Sequence, residues 1–514
     1  MQRASTRLHA LVLTAALAPA CAAARPAPAL PEGGSPAAAR RTTSRDGEAL
    51  RRVRAELAQV FDAPIMARGT WAVDVRSLDT GETMFELNPG KLTMPASNMK
   101  IVTAAAAAEI LGWDHRFTTT LETPAPVEDG VLRGDLFIRG TGDPTISSRD
   151  GRVNAVLFDW VVALRRAGIN QIAGRIVGDD QAFDDEGLGD GWSWDYLQYG
   201  YAAPVGALQF EENVARMTIA PGAAAGEPAI LTLPAGTGYT LLNRATTGDA
   251  GSETRIDYRR HLTGPTLEVT GSIRAGASTL TRTVAVANPT IYFAQSVKDA
   301  LVAAGIPVHG EAVDYDDVAM ELTGTNGPRR VLASTQSPPL REMATVLMKV
   351  SQNLYAETLL KAIGAAGGGI GTTAGGRAAI REALTAWGIP SDAYVLYDGS
   401  GLSRYNYLSA GMVTALLERM YRDPRHQRNF LLTLPIAGRD GTISTRMRRT
   451  LAESNAVAKT GSIANVRSLS GYVRTRDGEM LVFSILANDF PIPAATVTWI
   501  ADLAVEILAG FSRS

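Results

Sequence analysis

From Glu48 to Phe61 the apolar residues Leu50, Val53, Leu57 and Phe61 recur in steps of three and four. That spacing puts them on one face of an amphipathic helix. Thr70 to Leu78 is expected as a strand. Asp79-Thr80-Gly81-Glu82 is a turn, and Thr83 to Leu87 returns as the hairpin partner. Pro95 precedes a long helix, expected from Ser97 to about Leu111. Its run Ala104 to Ala108 carries side chains small enough to pack closely on every side, as a buried helix requires.

The pattern changes from about Phe117 to Val313. Short strands, glycines and turns follow one another, as in Gly134-Asp135-Leu136-Phe137-Ile138, Gly174-Arg175-Ile176-Val177-Gly178 and Thr266-Leu267-Glu268-Val269-Thr270-Gly271. One helix, roughly Val153 to Ala167, interrupts them. From Leu340 helical spacing returns, over Met343 to Ile363 and over Gly375 to Trp387. Val466 to Val473, the turn Arg476-Asp477-Gly478, and Met480 to Ala487 form a hairpin. Val497 to Ala509 is a closing helix. No internal repeat emerges. The two ends therefore share an α/β character, residues 45–116 with 314–514, and residues 117–313 form a β-rich insertion.

Composition adds little. The 514 residues are 46% hydrophobic and 20% charged, ample for a large core. A net charge of −2 gives no electrostatic reason to expect a nucleic-acid partner. The first residues matter more. Arg3 and Arg7 precede an apolar stretch from about Leu11 to Ala18, followed by small residues, the pattern of an export signal over 1–21. That stretch is too short to span a bilayer, and no later run approaches ~20 apolar residues. Cys21 is the sole cysteine, so no intramolecular disulfide forms. Its place directly after the apolar stretch raises lipidation. Ala18-Pro19-Ala20-Cys21 lacks the usual leucine three residues before the cysteine, and ordinary signal cleavage nearby is the alternative. Residues 22–44, rich in Ala and Pro at first, are expected to be a disordered tether.

Three short constellations carry chemistry. Ser97-Asn98-Met99-Lys100 sets Ser and Lys three apart at a helix start, on one face. A serine hydroxyl needs a base beside it. A buried lysine near another cation loses enough basicity to serve as that base. Ser351-Gln352-Asn353 falls inside the helix expected over Met343 to Ile363, where Ser and Asn are mildly unfavourable. Lys459-Thr460-Gly461-Ser462 precedes the hairpin. A strand edge there offers backbone groups to an extended peptide, the glycine lets a ligand approach closely, and the cation suits a carboxylate. Each constellation alone is common by chance.

Together and in this order, S-x-x-K, S-x-N and K-T-G resemble the signature of active-site-serine penicillin-binding proteins and β-lactamases. Pro95-Ala96-Ser97, Gly140-Thr141-Gly142-Asp143-Pro144, Gly191-Trp192-Ser193-Trp194, Asp398-Gly399-Ser400-Gly401-Leu402-Ser403-Arg404 and Gly438-Arg439-Asp440-Gly441-Thr442 extend the likeness. They resemble the low-molecular-mass class C penicillin-binding proteins, D-alanyl-D-alanine carboxypeptidases/endopeptidases, over roughly residues 48 to 508. The wide gap between Ser97 and Ser351 is similar to that family's inserted domains. Gln352 stands where many relatives carry Asp, with little expected effect.

The resemblance implies a transpeptidase/β-lactamase-like α/β (α+β) fold: an antiparallel sheet with flanking helices, plus inserted β-rich accessory domains. It implies an exported enzyme of the periplasm or cell envelope that acts on peptidoglycan stem peptides and cross-links through an acyl-enzyme. β-Lactams would acylate it. Ser97 would be the nucleophile and Lys100 its proton acceptor. Ser351 would relay a proton to the leaving amine, and Asn353 would orient Lys100. Lys459 and Thr460 would bind the terminal carboxylate. Gly461 would keep the strand open to substrate, and the backbone amides of Ser97 and Ser462 would form the oxyanion hole. Arg404 and Asp195 are candidates for contacting the free end of the stem peptide. No cofactor and no metal are implied.

Two alternatives stay open on the sequence: a serine β-lactamase, and a non-catalytic peptidoglycan-binding protein. There is no G-x-S-x-G elbow. His115, His261, His309 and His426 are expected as ordinary core or surface residues, and no H-E-x-x-H or cysteine cluster suggests a metal.

Overall fold

The computed structural model describes residues 37–322 and 327–513. The export signal, Cys21 and residues 22–36 of the expected tether lie outside the described residues. The first helix, Ala37–Phe61, begins inside the segment expected as tether. Ala37-Ala38-Ala39-Arg40-Arg41 are strong helix formers and extend the amphipathic segment backwards.

The ends of the chain meet in one five-stranded antiparallel sheet. Its order is Val457–Ile463, Val466–Arg474, Met480–Asn488, Thr70–Ser77 and Thr83–Leu87. The strand Met480–Asn488 is buried along nearly its whole length, and alternate residues enter opposite layers. Leu481, Phe483 and Ile485 pack with Leu57 of the first helix and Val505 of the closing helix, Ala494–Gly510. Val482 packs on the other face with Met99, Val413 and Leu417. Helices Met99–Ile110, Leu340–Lys349, Asn353–Ala365 and Ala410–Arg422 build that second layer.

Two corrections here bear on the site. The long helix begins as a tight 3-10 turn, Ala96–Asn98, and becomes α-helical only at Met99. The helix expected over Met343 to Ile363 is broken in two. Ser351 sits at φ +61 between the halves. Gln352 then caps the second half, its side-chain oxygen accepting from Leu354 N at 3.1 Å. A left-handed residue cannot continue a helix, and the amide cap makes the restart favourable.

The insertion has its own sheet, ordered Ala312–Asp314, Ile176–Asp179, Leu136–Gly140, Thr118–Thr123 and Arg330–Gln336. Helix Arg152–Arg166 lies on it as expected. A second helix, Pro289–Ala303, does too. Its sequence signal is local: Asn288 caps Ile291 N and Pro289 takes the first helical position. Trp160 and Phe293 stack with ring centroids 6.0 Å apart. Two three-stranded sheets follow, around Val214–Ala220 and around Thr266–Arg274. The pairing of Arg330–Gln336 with Thr118–Thr123 carries the insertion's sheet past residue 313. Its mixed polar pattern hid that strand.

Candidate active site

The turn bearing Ser97 is clamped against three strands of the first sheet. Ser468 Oγ donates to Pro95 O at 2.7 Å. Asn98 Nδ2 donates to Ser470 Oγ at 2.6 Å, and Ser470 Oγ donates to Ser484 Oγ at 2.9 Å. Gly461 makes the approach possible. A Cβ there would lie 2.5 Å from Pro95 O and 2.9 Å from Ser97 N. Gly401 does the same from the other side, because its Cβ would lie 1.8 Å from Ala96 O. A shift of about 1 Å at a reacting centre costs on the order of 100-fold in rate. Gly461→Ala is therefore expected to slow acylation of Ser97 about 100-fold. Acylation kinetics with a chromogenic β-lactam check this, and an unchanged rate would refute the close-approach argument.

Lys100 is fully buried. Its Nζ donates to Ser97 Oγ at 2.9 Å, to Asn353 Oδ1 at 2.6 Å and to Ser400 O at 2.7 Å. Three acceptors saturate an ammonium. Burial pulls its pKa from 10.5 down to about 7, while the charges of Asp398 and Glu357 oppose the fall. Lys459 is equally buried. Burial first, and the Lys100 charge second, push it well below the usual lysine range. Its Nζ donates to Ser351 Oγ at 2.9 Å and to Thr460 O at 2.7 Å. Both hydroxyls are thus paired with a buried lysine of lowered basicity, Ser97 with Lys100 and Ser351 with Lys459.

Sequence reasoning missed the carboxylates beneath this pair. Glu357 is buried and accepts from Gly399 N at 3.0 Å and Ser400 N at 2.8 Å. Burial and the neighbouring charge of Asp398 push its carboxyl up. Asp398 accepts from Gly401 N at 2.8 Å, Ser403 N at 2.6 Å, Asn406 Nδ2 at 2.6 Å and Trp192 Nε1 at 2.9 Å. The loop they hold presents the Ser400 carbonyl to Lys100. Asp398 opens the segment Asp398 to Arg404 that resembles the class C enzymes, but no spacing links it to Lys100.

A cavity of about 370 Å³ opens over these groups. Ser97, Ser351, Asn353, Thr460 and Ser462 line it, with Thr442 from the segment Gly438 to Thr442 and with Tyr196 and Tyr201, which sequence reasoning did not single out. Thr460 Oγ1 donates to Thr442 Oγ1 at 2.8 Å. Lys459 does not line the cavity, and its buried Nζ donates to the lining residue Ser351. Arg404 Nη2 lies 3.4 Å from the Tyr196 hydroxyl, at the cavity's edge. Asp195 is exposed and its carboxylate accepts from Ser193 Oγ. Neither lines the cavity. The histidines bond elsewhere, His426 to Glu109 and Trp113, His261 to Glu268, and His309 to Gln171, while His115 packs edge-on against Phe117.

A D-alanyl-D-alanine carboxypeptidase of Actinomadura sp. (strain R39) is 36% identical over 481 residues, 90% of this chain and 85% of its own. A Haemophilus influenzae D-alanyl-D-alanine carboxypeptidase, DacB, is 26% identical over 425 residues, 81% of this chain and 84% of its own. The crystal structure of penicillin binding protein 4 from Haemophilus influenzae shares the fold. It has a TM-score of 0.75 at 24% identity and covers 89% of this chain and 99% of that one. The family model for D-Ala-D-Ala carboxypeptidase 3 (S13) matches residues 53–506, which take in all three motifs and the cavity around them, and the chain belongs to that family.

Proposed function

We propose that the chain is a serine D-Ala-D-Ala carboxypeptidase acting on peptidoglycan stem peptides, with endopeptidase action on cross-links, and that β-lactams acylate it. The single observation that carries the mechanism is Lys100 Nζ 2.9 Å from Ser97 Oγ. Neutral Lys100 takes the Ser97 proton as Oγ attacks the carbonyl of the penultimate D-alanine. Backbone N–H groups of Ser97 and Ser462 hold the developing oxyanion, each donor typically contributing ~3–4 kcal/mol. Ser351, backed by Lys459, passes a proton to the leaving amine. Terminal D-alanine departs, and water then hydrolyses the ester at Ser97. Asn353 holds Lys100 in line, and no cofactor takes part. Arg404, beside Tyr196, and Asp195 are proposed to meet the free end of the stem peptide. Intact-mass analysis with a D-Ala-D-Ala peptide and with benzylpenicillin tests the reading. Release of D-alanine together with a long-lived penicillin adduct supports it, and the absence of both would refute it.

The position of Lys459 sharpens its role. Losing a charge-assisted hydrogen bond costs about 1.5–3 kcal/mol, or about ten- to a hundred-fold in rate. Lys459→Gln is expected to lower kcat/KM by about that factor for both a D-Ala-D-Ala peptide and its C-terminally amidated analogue, because Nζ acts through Ser351. A loss confined to the free-carboxylate substrate would assign Lys459 to carboxylate binding instead.

Residues 1–21 are proposed as an export signal to the periplasm or cell envelope, with lipidation of Cys21 as the alternative to plain cleavage. No described helix is long and apolar enough to cross a membrane. The peptidase unit is proposed as 45–116 with the C-terminal part, and the accessory insertion as 117 to 336, which adds Arg330–Gln336 to its sheet.

A further inference from the structure

The insertion reaches the middle motif through an unusual turn. Glu211, Glu212 and Asn213 take φ values of 51, 57 and 55. Three successive left-handed residues without a glycine are strained, and such strain persists only where surrounding bonds impose it. Asn213 imposes it here. Its Oδ1 accepts from Phe210 N at 3.1 Å and its Nδ2 donates to Pro204 O at 2.8 Å. The turn aims Glu212 at the motif, where Gln352 Nε2 donates to Glu212 Oε2 at 2.6 Å. Arg149 fixes the carboxylate from behind, Nη2 donating to the same oxygen at 2.8 Å. The next motif residue is tied to the insertion as well, since Asn353 Nδ2 donates to Tyr201 O at 2.7 Å. Gln352 lies between Ser351, itself at φ +61, and Asn353, which holds Lys100.

We propose that Glu212 is a positioning residue: braced by Arg149, it holds Gln352 and so sets the placement of Ser351 and Asn353 over Lys459 and Lys100. The inserted region thereby becomes part of the catalytic apparatus, and Gln352 is more than a neutral filler of its position. The proposal rests on the acyl-transfer reading for its readout.

Stopped-flow acylation of the full chain by a β-lactam separates initial binding from the covalent step. Glu212→Ala is expected to slow the covalent step about ten-fold, the scale of one charge-assisted hydrogen bond, and to leave initial binding within about two-fold. Glu212→Gln keeps an acceptor for Gln352 and should recover most of the rate. Gln352→Ser keeps a helix-capping oxygen but cannot reach Glu212, so it should show the same loss. The double variant Glu212→Ala/Gln352→Ser should be no slower than either single one. Glu211→Ala, one residue away, should acylate normally. Covalent steps at the wild-type rate in Glu212→Ala and Gln352→Ser, or losses that multiply in the double variant, would overturn the proposal. If Glu212→Ala fails to fold, Gln352→Ser alone decides. Wild-type protein that forms no adduct would refute the acyl-transfer reading instead.

Discussion

Benzylpenicillin is expected to add one acyl mass to the wild-type chain and none to Ser97→Ala. The hydroxyl oxygen forms the covalent bond, so its removal leaves no atom to acylate. Substituting the nucleophile in another serine peptidase lowers kcat by about 10⁶-fold, and a fall of that order in D-alanine release is expected here. The fold should survive. Among the described residues the side-chain partner of Ser97 Oγ is Lys100 Nζ, and Nζ keeps Asn353 Oδ1 and Ser400 O as acceptors. A melting temperature near that of the wild type would confirm that chemistry alone is lost. Mass spectrometry after brief and long incubation gives two further outcomes. An adduct on Ser97→Ala would mean another nucleophile. A wild-type adduct that forms and clears within seconds would mark a β-lactamase rather than a peptidase.

What could be read from sequence follows from how each feature is encoded. The three motifs are contiguous residue types at short fixed spacings, so Ser97 beside Lys100 and the Lys459 strand were legible before any fold was known. The hairpin Val466–Arg474 with Met480–Asn488 was legible because the second strand is a long apolar run and the turn Arg476-Asp477-Gly478 precedes it. Glu357 and Asp398 were not. Each is a buried carboxylate whose meaning lies in the backbone amides it accepts from, and main-chain donors leave no sequence pattern. The break at Ser351 was hidden for a related reason. Apolar periodicity runs on through Leu347 and Leu354, and only the left-handed φ and the Gln352 cap reveal the stop. Tyr196 and Tyr201 reach the cavity from the insertion, a contact between segments far apart in the chain.

Lys100→Ala is expected to lower the acylation rate about 10²- to 10⁴-fold, the usual contribution of a positioned general base, and to flatten its pH dependence. In the wild type the neutral amine is the working form. Burial brings its pKa to about 7, so acylation should climb as pH rises through about 7 and level off above it. Without the amine that rise should disappear. The same group leaves a signature in stability with a defined sign. Its folded pKa, about 7, lies below its ordinary value of 10.5. Between these values the unfolded chain binds a proton that the folded chain does not, so this group makes stability increase with pH across that window. The lowered pKa of Lys459 acts in the same direction, so Lys100→Ala should reduce the slope of melting temperature against pH without abolishing it. The variant also strands Asn353 Oδ1 and Ser400 O, at about 1–3 kcal/mol for a buried acceptor left unpaired, and relieves a desolvated cation. The net change in melting temperature at neutral pH should therefore be modest beside the loss of rate. Near-normal acylation at pH 7, or a rate that still rises through pH 7, would show that another group is the base.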